Sequence, residues 1–373
     1  MAKPTATAEL EIALATVGTA TLRGLGAFEQ IQRRLHPPAI EELRETLRPY
    51  ASGLERALSE FRDCAPQAPY RHLHEQLTKA ASLASRSFAR FCERTSTDRW
   101  IIAILDSMRT FSRALEALYP LHRLPPVGRF FLEPAFHGLT GGLDPEPPNG
   151  VSVGLHASGD GSAPGERGGF CLYVPETYDG DEPWPLVVAL HGGSGSGRDF
   201  IWAWLREARG RRFLLLAPTA RGPTWSMIGP DVDAAAIRSM IEFVSRRWRV
   251  DRGRVLLTGL SDGATYGLML ALGGGVSCTG VAPIAGVLHP AALTGSGSGA
   301  AAGRRIYMVH GALDWMFPVS HARLGYERLA AAGAEIVFRE IDDLSHTYPR
   351  EENDAILAWF DSALALPAKA TLS

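Results

Sequence analysis

Val255-Leu256-Leu257-Thr258-Gly259-Leu260-Ser261-Asp262-Gly263-Ala264-Thr265-Tyr266 is the stretch that decides how this chain folds. Val255 to Leu257 read as a short apolar strand. A helical pattern follows at once in Tyr266, Leu268, Met269, Leu270 and Leu272. Between the two stands Gly-x-Ser-x-Gly, at the point where strand gives way to helix. A serine on so tight a turn has a strained backbone, and bulky neighbours would clash. Gly259 and Gly263 remove the clashing side chains. The helix that begins there aims backbone N–H groups at the oxygen of Ser261 and at any adduct it forms. The spacing alone recurs by chance; the apolar strand before it and the helix after it make Ser261 a candidate nucleophile. The bland alternative is an ordinary strand-to-helix turn with a small polar residue.

Working outward from this turn, strand and helix patterns alternate from Gly169 to the end. Apolar runs fall at Phe170–Val174, Leu186–Leu190, Phe213–Leu216, Val255–Leu257, Val281–Ile284, Ile306–Val309 and Ile336–Phe338. Helical patterns fit between them at Phe200–Ala208, Val232–Trp248, Gly263–Leu272, Ser320–Ala332 and Asn353–Leu364. Near-continuous apolar strands separated by helices predict an α/β fold with a mostly parallel sheet covered on both faces. Ligands of such sheets sit beyond the carboxyl ends of the strands. Ser261 is at such an end.

Upstream the texture differs. Residues 1–119 read as an all-α helical bundle. Leu10, Leu14 and Val17, then Leu25, Phe28, Ile31 and Leu35, follow helical spacing up to His36-Pro37-Pro38. Ile40, Leu43, Leu47, Tyr50, Leu54 and Leu58 form a second stripe, in which Pro49 predicts a kink or break. Tyr70, Leu73, Leu77, Ala84, Phe88 and Phe91 form a third. Ser96, Thr97 or Asp98 can cap a fourth, carried by Ile101, Leu105, Met108, Phe111, Leu115 and Leu118. Such stripes with short connections predict an antiparallel bundle. His72 and His74 lie two apart, point to different faces and read as surface residues. Residues 120–168 are rich in proline and glycine and read as a linker. Within it, Val151–Leu155 alternates like an edge strand, and Ser158–Gly165 reads as a surface loop. Residues 169–373 then read as a second domain, the one that carries Ser261 and is expected to be catalytic.

Composition narrows the classes of function. The net charge of −2 gives no electrostatic case for nucleic acid or an anionic membrane. Cys64, Cys92, Cys171 and Cys278 are scattered, without metal-ligand or disulfide-framework spacing, which favours free thiols in a reducing cytoplasm. Lys3, Glu9 and Glu11 interrupt what would have to be the apolar core of a signal peptide, and no stretch is long and apolar enough to span a bilayer. No metal and no cofactor is expected.

A serine hydroxyl needs a base to take its proton, and the base needs an acid to orient it. In a sheet of this kind the order along the chain is serine, acid, histidine. The downstream histidines are His289, His310, His321 and His346. His346, in Asp342-Asp343-Leu344-Ser345-His346-Thr347, follows the last strand and is favoured as base. Asp314, in Val309-His310-Gly311-Ala312-Leu313-Asp314, follows the strand at Ile306–Val309 and is favoured as acid over Asp342 and Asp343. Acyl transfer also places negative charge on the substrate oxygen, which preorganised N–H donors must meet. One donor is expected from Asp262. The other is expected from His191-Gly192-Gly193-Ser194 after the strand Leu186–Leu190, with Gly193 the choice. That glycine stretch lacks the Gly-Lys-Ser/Thr ending of a phosphate loop.

Taken in order, Phe170–Pro175, His191-Gly192-Gly193, Asp231–Val250, Gly-Leu-Ser-Asp-Gly at 259–263, His-Gly-Ala-Leu-Asp at 310–314 and Ser345-His346 resemble an α/β-hydrolase. The group is that of phospholipase/carboxylesterase and polyhydroxybutyrate-depolymerase-like esterases. The resemblance covers about 150 to 365. It implies Ser261 as nucleophile, His346 as base and Asp314 as orienting acid, acting on carboxylic esters through an acyl-enzyme. One departure is Asp262, a carboxylate where a small or amide residue often follows the serine. Thioester, polyester and peptide cleavage would use the same residues, and a catalytically inactive hydrolase fold acting as a binding module is the alternative from another class. Trp225, Trp315, Met316 and Phe317 flank the expected site loops, and Trp225, Trp315 and Phe317 are candidate substrate-binding residues for a small-molecule or lipid-like ester. Plain core packing is the competing reading of each. The connection at 287–303 is short and contains Gly295–Gly299, so no helical lid is expected there. The bundle is a candidate for covering the site, and more readily for forming a homodimer.

Overall fold

Helical spacing of large apolar residues governs the first part of the chain, and unbroken apolar runs govern the rest. The computed structural model describes residues 6–66, 68–94, 100–148, 150–159, 167–293 and 300–367. The chain divides into two compact units, Met1–Phe131 and Leu132–Ser373. The proposed cap at Ser96–Asp98, the stretch Gly295–Gly299 and most of the loop at Ser158–Gly165 lie outside the described residues.

The first unit consists of α1 (Ala6–Arg33), α2 (Ile40–Arg62), α3 (Arg71–Cys92) and α4 (Trp100–Leu118), followed by a short α5 (Pro125–Phe130). Each of the long helices packs on the next. Phe28 sits at the middle of the core, its ring centroid 5.6 Å from that of Phe88 and 5.2 Å from those of Phe91 and Phe111. Helix α2 runs unbroken through Pro49, so of the kink or break expected there the break does not occur. Pro49 lies on the exposed face, so the carbonyl that loses its partner at Glu45 meets water, while Leu43, Leu47, Leu54 and Leu58 hold the helix from its buried face. The buried face of α4 also differs from the expected stripe. Ile101 and Leu105 are exposed, whereas Ala103, Ile104 and Ser107 face inward. Small residues let α3 and α4 approach closely. Ser87 Oγ donates to the Ser107 carbonyl at 2.9 Å, and Ser107 Oγ donates to the Ser87 carbonyl at 2.7 Å. His74 is half-buried rather than on the surface. Its Nε2 is 3.1 Å from the Phe61 carbonyl oxygen and its ring lies against the Phe61 ring, while His72 is exposed.

The second unit carries an eight-stranded sheet in the order β1-β2-β4-β3-β5-β6-β7-β8. The strands are β1 (Gly154–Ser158), β2 (Phe170–Val174), β3 (Trp184–Leu190), β4 (Leu214–Pro218), β5 (Val250–Leu260), β6 (Gly280–Ile284), β7 (Arg305–Gly311) and β8 (Glu335–Ile341). β2 is antiparallel to both of its neighbours, and the strands from β4 onward run parallel. β2, β3, β4 and β6 are buried along their whole length, as their continuous apolar sequences require, whereas the edge strand β8 alternates. The edge strand β1 begins at Gly154 rather than Val151. Val151 and Val153 pack on the core instead, and the Ser152 carbonyl accepts from Trp248 Nε1 at 2.8 Å.

Among the described residues six α-helices accompany this sheet: α6 (Gly197–Phe200), α7 (Leu205–Arg211), α8 (Asp233–Arg247), α9 (Asp262–Leu272), α10 (Val319–Ala331) and α11 (Asn353–Phe360). The helix expected over Phe200–Ala208 is therefore interrupted. Trp204, with φ −125° and its ring fully buried, stands at the break before α7. Among the described residues no helix is long and apolar enough to cross a membrane.

The aromatic cluster makes a testable demand on the first unit. Phe28→Ala should lower unfolding free energy by about 3–5 kcal/mol. Ile102→Ala, on the exposed side of α4, should change it by less than about 0.5 kcal/mol. Denaturant melts read by hydrogen exchange in the first unit check both, and comparable effects would contradict the assigned faces.

Candidate active site

The site begins with a backbone crossing. β5 ends at Leu260 and α9 starts at Asp262, so Ser261 alone makes the turn, with φ 57° and ψ −119°. A non-glycine residue in that region is strained by about 1–3 kcal/mol. Its surroundings hold it there: Ser261 N–H donates to the Ile284 carbonyl at the end of β6, at 2.9 Å. A Cβ on Gly263 would stand 2.3 Å from the Leu190 carbonyl oxygen and 2.4 Å from that of His191. One on Gly259 would stand 2.6 Å from the Gly263 backbone. The two glycines thus let α9 leave β5 directly over the end of β3.

β7 and β8 deliver the other two groups. The loops that follow them are tied together, with Leu313 N–H donating to the Leu344 carbonyl at 2.9 Å and Ser345 Oγ to the Leu313 carbonyl at 3.3 Å. Gly311 is where they cross, since a Cβ there would lie 2.2 Å from the Leu344 carbonyl oxygen. His346 Nε2 is 2.9 Å from Ser261 Oγ, and His346 Nδ1 is 2.8 Å from Asp314 Oδ2. Ser261, His346 and Asp314 are therefore one continuous chain of hydrogen-bonding groups. The other candidates stand apart: Asp342, Asp343 and His321 are exposed, and His289 Nδ1 accepts from the Ala291 N–H at 3.3 Å.

Asp314 is buried yet charged. Burial raises its pKa, but hydrogen bonds from His310, His346 and the Phe317 N–H outweigh it and hold the carboxyl well below the usual carboxylate range. Its Oδ1 accepts from the N–H groups of Met316 at 2.9 Å and Phe317 at 2.7 Å. His310 is the residue that the sequence ranking set aside. Its position four residues before Asp314, at a strand end, was the available signal.

Gly192 lies against Ser261, where an added Cβ would stand 3.5 Å from the Ser261 Cβ, and Gly193 lies against the Asp262 side chain. The Gly193 N–H has no hydrogen-bond partner among the described residues. Asp262 opens α9, where amide N–H groups lack intrahelical acceptors. The Asp262 carboxylate is engaged by the loop after β4: Oδ2 accepts from Thr224 Oγ1 at 2.6 Å and faces Gly193. The helix N-terminus accommodates that charge.

The loop containing Gly193 is braced by His191. Its Nε2 accepts from the Ala220 N–H at 3.0 Å, so Nδ1 carries the hydrogen and donates to the Gly192 carbonyl at 2.6 Å. Both nitrogens are engaged only by the neutral ring, and burial pushes its pKa down to about 4.

The three aromatic candidates separate. Trp225 is 3% exposed, donates through Nε1 to the His191 carbonyl at 2.7 Å and stacks on Tyr266. It is a strut under the His191 loop rather than a wall open to substrate. Trp315 is 44% exposed. Phe317 is half-buried, its ring edge-on to His346 with centroids 5.3 Å apart.

The sheet order, the single reversed strand β2 and the strained serine turn at the end of β5 define an α/β-hydrolase fold. Among solved structures, the chain is similar to a thermostable esterase, with TM-score 0.47, 21% identity, and 56% of this chain and 62% of that one covered. It is also similar to an acetyl xylan esterase from Aspergillus awamori, with TM-score 0.44, 16% identity, and 55% and 98% covered. A third is an acylaminoacyl peptidase from Pyrococcus horikoshii, with TM-score 0.46, 14% identity, and 59% and 43% covered. The chain thus spans 62% of the length of the thermostable esterase. Likenesses of this degree carry no information about substrate. No protein-family model and no curated protein matches the chain.

The neutral, buried His191 makes stability depend on pH. In the unfolded chain its imidazole takes a proton near pH 6.5, and in the folded protein only near 4. Its contribution is therefore complete above about pH 6.5 and is lost as pH falls from there toward 4, by up to about 3 kcal/mol. Thermal melts between pH 7 and 4 should show the decline, and it should be shallower in His191→Asn, which takes no proton. An equal decline in the variant would assign it to other groups.

Proposed function

We propose that this protein is a serine hydrolase that cleaves carboxylic esters through an acyl-enzyme intermediate. The observation that carries the proposal is the chain Ser261 Oγ, His346 Nε2, His346 Nδ1 and Asp314 Oδ2, with links of 2.9 and 2.8 Å. His346 takes the proton of Ser261 as its oxygen attacks the ester carbonyl, and returns it to the leaving alcohol. A water then repeats the cycle to release the acid. Asp314, held ionised, keeps the hydrogen of the neutral imidazole on Nδ1 and stabilises the imidazolium when it forms. The N–H groups of Gly193 and Asp262 receive the negative charge of the tetrahedral intermediate. Trp315 and Phe317, on the loop with Asp314, offer apolar surface to the substrate, and Phe317 also supports the His346 ring.

Trp315, 44% exposed, is accessible to an apolar acyl or aryl group of such an ester. A panel of acyl esters of graded chain length, run beside a fluorophosphonate probe, tests the proposal. Ser261→Ala should abolish both turnover and labelling, a loss of about 10⁴-fold or more in kcat. Persistent labelling at another serine would remove Ser261 from its role.

Asp314→Asn should leave KM nearly unchanged and lower kcat by about 10⁴-fold, because the amide favours the wrong imidazole tautomer. If Asp343→Asn is the damaging change and Asp314→Asn is mild, the acid is misassigned.

A further inference from the structure

A carboxylate offers about four lone-pair sites to hydrogen-bond donors. Asp314 has a donor for each. The N–H groups of Met316 and Phe317 reach Oδ1, and His346 Nδ1 and His310 Nε2 approach Oδ2, at 2.8 and 3.3 Å. Three of the four belong to the turn at 314–317 or to the proposed triad. The fourth comes from a strand residue that the mechanism above does not use.

His310 lies in β7 with its side chain fully buried. Its Nε2 is also 2.7 Å from the Phe317 carbonyl oxygen. A carbonyl and a carboxylate both accept, so the hydrogen resides on Nε2. The other nitrogen, Nδ1, is buried with no partner. An apolar side chain would avoid leaving Nδ1 unmatched but would strip the Phe317 carbonyl of its donor, so the reason for a histidine here is at Nε2. The reason lies in what the Nε2–H joins. It links the beginning and the end of the 314–317 turn to β7, and so fixes both the acid and the backbone of Phe317, whose ring lies against His346.

We propose that His310 is a positioning residue for Asp314: its Nε2–H, shared between the Phe317 carbonyl and Asp314 Oδ2, holds the carboxylate in the orientation from which Oδ2 meets His346 Nδ1. The torsion that turns a carboxylate is broad and two-fold; the Met316 and Phe317 N–H groups hold Oδ1 from within the turn, and His310 Nε2 is the group from the sheet that faces Oδ2. A donor rooted in the sheet fixes it well. Without that donor, Oδ2 turns away from His346 for part of the time, and the imidazole loses its orientation. Substrate binding does not involve His310, so the loss falls on kcat.

The inference rests on the proposed roles of Ser261, His346 and Asp314, and the experiment separates the two. Ester turnover and fluorophosphonate labelling are measured on the full chain, on His310→Leu, His310→Gln and Asp314→Asn, and on the double variant. Wild-type protein with neither turnover nor Ser261 labelling would end the hydrolase reading, and this inference with it. With an active wild type, His310→Leu should lower kcat by about tenfold or more at unchanged KM. His310→Gln, which carries an N–H at similar reach, should recover most of the loss. Adding His310→Leu to Asp314→Asn should cost nothing further. A Leu variant within twofold of wild type, equal damage from Leu and Gln, a change in KM alone, or losses that multiply in the double variant would each overturn the assignment. If His310→Leu fails to fold by circular dichroism, His310→Met takes its place beside His310→Gln.

Discussion

The backbone crossing at Gly263 is the constraint on which the rest of the site depends. Two carbonyl oxygens of β3 and its following loop lie where any side chain on residue 263 would be. That approach forces Ser261 into its left-handed conformation. The strain is sustained because β3, β5 and β6 are locked in register around it, with Leu190 beside Gly259 and Leu260 beside Ile284. These strands are apolar over their carboxyl-terminal halves, so moving any of them would expose core. Local distortion at one serine is thus supported by burial across the centre of the sheet.

Two buried ionisable groups close to that serine are treated in opposite ways. Asp314 keeps its charge because donors surround it, and His191 gives up its charge because its two partners fit only the neutral ring. The first arrangement keeps an anion where an imidazolium would form. The second makes the loop bearing Gly193 a fixed frame rather than a titrating one. Asp262 is a third case, a half-buried carboxylate at a helix start whose Oδ2 is engaged by Thr224. The departure that the sequence displays beside Ser261 is therefore met by a hydroxyl from the loop after β4.

Much of the fold could be read in the chain because period and chemistry agree there. Continuous apolar runs such as Leu186–Leu190 have no helical face to present, so they had to be strands. Gly259, Ser261 and Gly263 mark a turn that other residues fill poorly. What escaped reading had competing signals. The inward face of α4 is lined by Ala103 and Ser107, which no count of large apolar residues selects. Pro49 argues for a break only if its orphaned carbonyl is buried, and the sequence does not say which face that carbonyl is on. Trp225 has the composition of a substrate wall, but its indole N–H finds a carbonyl in the interior. His310 was legible as a residue and not as a donor, because its role depends on a turn that doubles back on the strand carrying it.

The paired serines of the first unit carry a consequence for how its helices can move. Ser87 and Ser107 each donate to the other's backbone carbonyl across the α3–α4 contact. Were α4 to slide along α3 by one turn, about 5.4 Å, both hydroxyls would lose these partners, and one that met no other carbonyl would be stranded. Each stranded hydroxyl would then cost about 1–3 kcal/mol. The alanines around them tolerate many alignments equally well, since a methyl group has no directional preference. Together with Gln76 Nε2, which donates to the Ala117 carbonyl at 2.6 Å, the two hydroxyls favour one alignment, as a detent does in a sliding rail. Axial slippage of α4 along α3 is therefore resisted by directional bonds that the surrounding methyl groups do not supply.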